Sequence, residues 1–96
     1  MEFREKIPFR SDQTASRLID KEAVVVLLDK QETLVLNEVA SRIWEIIDGQ
    51  KNIDELARLI TTEFDVAYEK AVEDTRGFLE DMAQRGAVIL DKDGKN

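Results

Sequence analysis

LVLNEVASRIWEIIDG, residues 34–49, joins a short extended segment to an amphipathic helix. Residues 33–36 read as a strand: side chains alternate along extended chain, so Leu34 and Leu36 share one face and Val35 takes the other. Asn37 stands where a helix begins, and its side-chain oxygen suits a hydrogen bond from an early backbone N–H. At about 100° per residue, Val39, Ala40, Ile43, Trp44, Ile46 and Ile47 fall on one broad arc. Glu38, Ser41, Arg42, Glu45 and Asp48 fall on the other. Gly49 follows the last turn, where a left-handed stop favours glycine. Trp44 belongs to the core, with an indole N–H in need of an acceptor.

Upstream of this joint the chain reads as strands. Residues 23–28, AVVVLL, are dense in β-branched side chains. The run is apolar on both faces, as a strand covered on both sides would be. The expectation is therefore a sandwiched sheet, or an outer face met by the N-terminal arm or by another chain. Left open, that face is an aggregation hazard. Residues 13–20 alternate weakly, with Ala15, Arg17 and Ile19 on one side and Ser16 and Leu18 on the other. The connection 29–32, DKQE, has hairpin length, so residues 33–36 return as the third strand of a meander and as its edge. Residues 1–12 mix charges with Phe3, Ile7, Pro8 and Phe9. They read as an extended arm that either frays or docks on the domain or a second subunit.

Downstream the period becomes helical. Asn52 and Glu55 have the spacing of a capping box. They open a second helix to about Glu63, with Ile53, Leu56, Ala57, Leu59, Ile60 and Phe64 on its apolar face. A third helix runs from about Tyr68 to Arg85. Ala71, Val72, Thr75, Phe78, Leu79 and Met82 form its buried stripe, continued by Ala83, and Gly86 ends it. Ala67 is a poor cap, so the first turn is expected to fray. Glu69, Glu73, Asp74, Glu80 and Asp81 make an acidic face that reads as solvated surface or as a dock for a basic partner. Gly77 lies on the polar side, where glycine costs about 1 kcal/mol relative to alanine, and the sequence offers no reason for it. Residues 87–90 are short and extended, and 91–96 form a polar tail.

The fold class is α+β: three N-terminal antiparallel strands followed by three helices. The short link between the second and third helices allows a winged helix-turn-helix-like arrangement. Ninety-six residues fit a single domain, and 43% hydrophobic residues suffice for a modest core. The domain is expected over 13–90, between the arm 1–12 and the tail 91–96. A formal net charge of −7 repels a phosphate backbone and argues against nucleic acid. A winged-helix DNA binder would need a basic third helix, and this one is mostly acidic. The absence of cysteine and histidine excludes disulfides, thiolate and imidazole metal sites and cysteine nucleophiles. Asp48/Asp54 and Asp91/Asp93 lack the spacing of a calcium loop. No apolar run reaches the ~18–20 residues that span a bilayer, and the N-terminus lacks a signal-peptide core, so a cytoplasmic protein is expected. No phosphate loop, catalytic triad or dinucleotide fingerprint is present, so neither an enzyme nor a cofactor is expected.

The ordered set Leu36-Asn37, Ile43-Trp44, Asp48-Gly49, Asp54-Glu55-Leu56, Phe64, Val72, Asp74, Phe78-Leu79, Met82 and Gly86-Ala87-Val88 resembles the PqqD-like proteins. These are also called RiPP recognition elements, after the ribosomally made, post-translationally modified peptides they serve. The resemblance covers about residues 14–90. Asn52 stands where a threonine cap is usual, and Thr75 where an aliphatic residue is commoner. The resemblance implies a peptide chaperone that is not itself a catalyst. A precursor's leader peptide would add as a strand to the third strand's edge, in a groove against the third helix. The precursor would then pass to a modifying enzyme, such as a radical S-adenosylmethionine maturase or a leader peptidase.

Strand-addition physics agrees, since an edge strand holds unpaired N–H and C=O groups for an extended peptide. The backbone of Thr33, Leu34, Val35 and Leu36 would supply the ladder. Val72, Thr75, Arg76, Leu79 and Ala83 on the third helix are candidates for the groove wall, and the apolar ones read more readily as core. Arg76 would meet an acidic leader residue, or would pair with Glu73 or Glu80 as a solvated helix charge. The other readings are a DNA binder and a structural module in which AVVVLL and the arm pair two copies as a homodimer.

Overall fold

The computed structural model describes residues 3–91. The ends of the expected arm and tail, residues 1–2 and 92–96, lie outside the described residues. A 3-10 turn at Phe3–Glu5 leads into β1 (Ile7–Arg10), β2 (Thr14–Ile19), β3 (Glu22–Leu27) and β4 (Glu32–Val35). Helices α1 (Glu38–Ile46), α2 (Ile53–Glu63) and α3 (Tyr68–Gln84) follow, and β5 (Val88–Asp91) closes the chain. Strands β2, β3 and β4 form an antiparallel sheet in that order, and β1 pairs with β5 in a separate two-stranded ribbon. The α+β class and the order of strands before helices are as the sequence implies.

Alternation along β3 shapes the sheet. Ala23, Val25 and Leu27 are buried against the helices, whereas Val24 and Val26 are half-buried on the outer face. Among the described residues no second layer sandwiches the sheet, and residues 7–10 do not cover that outer face. They engage β5 instead, with Pro8 opposite Leu90 and Phe9 opposite Ile89. Proline fits there because each strand of a two-stranded ribbon is an edge. Ser11 extends the pairing by donating its N–H to the Ala87 carbonyl at 2.9 Å.

The helices assemble on the inner face. Trp44, Ile47, Leu56, Leu79 and Met82 join Val25 and Leu27 in one buried cluster, and Ile43, Ala57, Ile60, Ala71 and Val72 form a second between the helices. Asn37 caps α1 by accepting from the Ala40 N–H at 2.9 Å. The Asn52–Glu55 capping box closes reciprocally, at 2.8 Å in each direction. Ala67, the residue before α3, provides no side-chain cap. Gly49 and Gly86 take φ of 78° and 81°, the left-handed conformation in which a side chain is strained.

Ser41 corrects the sequence reading. Its place on the polar arc predicts exposure, yet it is 1% exposed. The Ala23 N–H donates to Ser41 Oγ at 2.7 Å, and the Ser41 hydroxyl donates to the Leu36 carbonyl at 3.1 Å. The Leu36 N–H still donates to the Ala23 carbonyl at 2.9 Å. Ser41 thus inserts into the last rung between β3 and β4 and ties α1 to both strands.

Candidate functional site

The register of β4 decides which of its backbone groups are free. Ala23 faces Leu36, and Val25 faces Leu34. Because antiparallel pairs alternate between hydrogen-bonded and non-bonded, Leu36, Leu34 and Glu32 direct their N–H and C=O groups at β3. Thr33 and Val35 direct theirs away from it. Among the described residues no strand pairs with this outer edge. Both residues are exposed, Val35 to 67%. The edge is therefore two residues of unpaired backbone, held in place by a fully bonded partner.

α3 runs beside that edge. At the start of β4, Arg85 Nη1 lies 3.0 Å from Glu32 Oε2, and its Nε lies 3.2 Å from Asp81 Oδ2. The Asp81 hydrogen bond and charge, with a smaller part from Glu32, hold the Arg85 guanidinium above its ordinary pKa. Lys30 Nζ adds a bond to the Arg85 carbonyl at 2.8 Å, so this end of the strip is tied shut. Farther along, Leu34 of β4 and Phe78 of α3 pack partly buried on the same core cluster. At the other end, where β4 turns into α1, an open cavity of about 450 Å³ lies between α1 and α3. The result is a strip with an apolar base, an acidic helix on one side and free backbone on the other.

The expected groove residues separate. Thr33, Leu34, Val35 and Leu36 lie on or beside the open edge, with Leu36 itself buried. Val72, Thr75 and Leu79 are core side chains, Thr75 being 0% exposed. Arg76 is on the opposite flank of α3, stacked 4.7 Å from the Phe3 ring and 3.6 Å from Glu80. Ala83, about 20° from Arg76 around the helix axis, shares that flank. The residues of α3 that face the strip are Asp74, Gly77, Phe78, Asp81 and Arg85. Helical periodicity separates buried from exposed positions but treats the two flanks of an amphipathic helix alike. The Asp81–Arg85 spacing gave no usable signal, because Arg76–Glu80 has the same i,i+4 spacing and faces away from the strip.

Other polar chemistry is sparse. Among the described residues no three carboxylates cluster as a metal site. Arg10 Nη2 donates to the carbonyls of Trp44 and Glu45 at 2.7 and 3.2 Å while its guanidinium stacks 4.9 Å from the Trp44 ring. Burial lowers the Arg10 pKa, against the opposing charge of Glu45. Among the described residues the Trp44 indole N–H has no acceptor. Among the described residues no helix is long and apolar enough to cross a membrane.

Fold and strip together describe a winged helix-turn-helix-like α+β domain with one strand edge left open beside a helix. The chain belongs to the PqqD family: the family model for coenzyme PQQ synthesis protein D (PqqD) matches residues 22–88. A curated relative, the PqqA binding protein of Rhizobium meliloti (strain 1021), is 30% identical over 60 residues, 62% of this chain and 61% of the relative. The match therefore spans less than two thirds of that protein. Among solved structures, TbiB1 in complex with the TbiA(beta) leader peptide is similar at a TM-score of 0.77 and 30% identity, covering 83% of this chain and 93% of that one. Lasso peptide synthetase B1 complexed with the leader peptide shares the fold, with a TM-score of 0.76, 17% identity and coverage of 85% and 96%.

Proposed function

We propose that this domain binds the leader segment of a ribosomally made precursor peptide as an added strand on the outer edge of β4. It then presents the precursor to a separate modifying enzyme. The observation that carries this reading is the outward backbone of Thr33 and Val35 beside the open flank of α3. Family membership supports it, as does the likeness to a protein solved with its leader peptide. An incoming strand would exchange hydrogen bonds with Thr33 and Val35, and α3 would wall its other side. Backbone bonds supply affinity that tolerates sequence variation, and side-chain pockets add selectivity.

In this reading the domain catalyses nothing and carries no cofactor. The chemistry belongs to the partner, a radical S-adenosylmethionine maturase or a leader peptidase, working in the cytoplasm where the precursor is made. Titration with the leader of the precursor encoded beside this chain tests the proposal. Saturable binding that shifts the Thr33 and Val35 amide resonances is expected. Absence of binding, or shifts confined to β2 and α2, would overturn it.

A second reading, self-association, has one observation in its favour. Ile19 and Val35 stand 52% and 67% exposed on the same outer face of the sheet as Val24. Sedimentation that shows a concentration-dependent dimer would support pairing through that face. A strict monomer would remove it.

A further inference from the structure

Arg4, Arg42, Arg58, Arg76 and Arg85 each pair with a carboxylate. Among the described residues Arg10 and Arg17 have no ion pair, although acidic residues outnumber basic ones 21 to 14 across the chain. These two meet at one place. Both line an open cavity of about 260 Å³ beside β2, together with Ser16, Leu18, Trp44 and Glu45. Arg10 is fixed there, its Nη2 donating to the Trp44 and Glu45 carbonyls at 2.7 and 3.2 Å near the end of α1. Its Nε is buried with no partner among the described residues. Arg17 is exposed. Glu45 is the carboxylate at the cavity, and it lies 3.4 Å from Arg42. The register adds free backbone. The Gln13 carbonyl accepts from the Leu28 N–H at 2.9 Å, and the pairs alternate from there. Ser16 and Leu18 therefore turn their N–H and C=O groups away from β3, on the edge that the cavity adjoins.

We propose that the β2 edge docks an extended acidic segment of a second protein. The segment adds as a strand against Ser16 and Leu18, and one of its carboxylates enters the cavity between Arg10 and Arg17. Charge closes this edge to strands in general and selects a strand of the opposite charge. Backbone carbonyls already hold the Arg10 guanidinium, so little further freedom is lost when it meets a carboxylate. A second copy of this chain is the wrong occupant, because β2 against β2 would oppose Arg10 and Arg17 to their own duplicates. β2 and β4 are opposite edges of the sheet, so a strand on one leaves the other free. The inference does not depend on what β4 binds. With both edges filled, the domain bridges two chains.

The test is selection from a random-peptide display library on the wild type, with single clones then measured on V35P, S16P and R17E. One class of clones should carry glutamate or aspartate among β-branched residues. That class should bind V35P within about twofold of the wild type and R17E about tenfold or more weakly. S16P should weaken it about tenfold as well, through a lost backbone bond and the proline ring. R17E removes no internal ion pair, so it decides the matter if S16P fails to fold. Added sodium chloride should weaken the same clones, because salt screens the charges at an open cleft. Free glutamate and inorganic phosphate at millimolar concentration should not displace them. Displacement by either makes the cavity a small-anion site and overturns the added strand. No acidic class, or one that R17E or S16P binds as the wild type does, overturns the proposal. Acidic clones lost on V35P and kept on R17E belong to the β4 edge and overturn it too.

Discussion

Among the described residues the three-stranded sheet has two open edges, and they are not equivalent. On β2, the register directs the N–H and C=O groups of Thr14, Ser16 and Leu18 outward, just as those of Thr33 and Val35 point outward on β4. Beside β2 lies a cavity of about 260 Å³ lined by Arg10, Arg17, Trp44 and Glu45, so charged side chains flank that edge. Arg10 is fixed there by the Trp44 and Glu45 carbonyls. A free edge is a liability that proteins blunt with charge or cover. β2 follows that rule. β4 departs from it, offering an edge with an apolar base at Leu34 and Phe78 and a helix held at a fixed distance by the Glu32–Arg85 pair. What makes an edge a binding site is the wall beside it.

Proline gives the sharpest test of that difference. Val35 and Ser16 both point their N–H groups away from β3, so proline at either removes no internal rung. Val35→Pro should weaken leader-peptide binding about tenfold or more, since a lost backbone bond and a bulky ring together exceed about 1.4 kcal/mol. Ser16→Pro should leave affinity within about twofold in the same calorimetric titration. Equal losses would make the two edges alike and break the comparison.

Ser41→Ala tests how β4 is held in place. The Ala23 N–H and the Leu36 carbonyl lose their shared buried partner, which should cost about 1–3 kcal/mol in urea unfolding. Hydrogen exchange should quicken at β4 and α1 first, with β2 little changed. Arg10→Ala tests the guard on the other edge. It removes two charged-donor bonds and the stacking on Trp44, for an expected loss of about 1–2 kcal/mol, and peptide affinity should not rise. A gain in peptide binding would show that charge alone kept β2 closed.

The smallest effect is a control that touches neither edge. The Lys51 side chain, then the Gln50 and Lys51 backbone N–H groups, hold the Asp48 carboxyl down to about 2 from its usual 3.8. A depressed pKa stabilises the fold above the unfolded value and loses that contribution as pH falls from 3.8 to about 2. Asp48 is half exposed and its ion pair with Lys51 is screened, so Asp48→Asn should lower stability by less than about 1 kcal/mol at pH 7. The difference from wild type should vanish near pH 2, and peptide affinity should not change.

Local signals carried most of the fold. Asn37, the Asn52–Glu55 box and Gly86 mark helix ends through contacts within a few residues, so sequence alone suffices to read them; Gly49 does not, because α1 ends at Ile46 and the left-handed glycine lies in the loop beyond. The pairing of β1 with β5 joins Ile7 to Asp91 across nearly the whole chain, and nothing near Pro8 announces its partner. Ser41 was misread because a serine on a helix looks the same whether its hydroxyl meets water or completes a ladder between two strands. The backbone half of the candidate site was legible, since a short third strand in a meander must be an edge. The helix half was not: which flank of α3 stays open depends on where the 3-10 turn at Phe3–Glu5 docks, and Arg76 stacking on Phe3 is a tertiary outcome. Gly77 was visible as a cost without a cause, and the fold supplies none.

Amide hydrogen exchange with and without saturating leader peptide tests the central claim most directly. The account predicts that exchange at Thr33 and Val35 slows by at least an order of magnitude on binding, while Ser16 and Leu18 on the opposite edge keep their free-state rates. Unchanged exchange at Thr33 and Val35 in a saturated complex, or protection that appears on β2 instead, would contradict it.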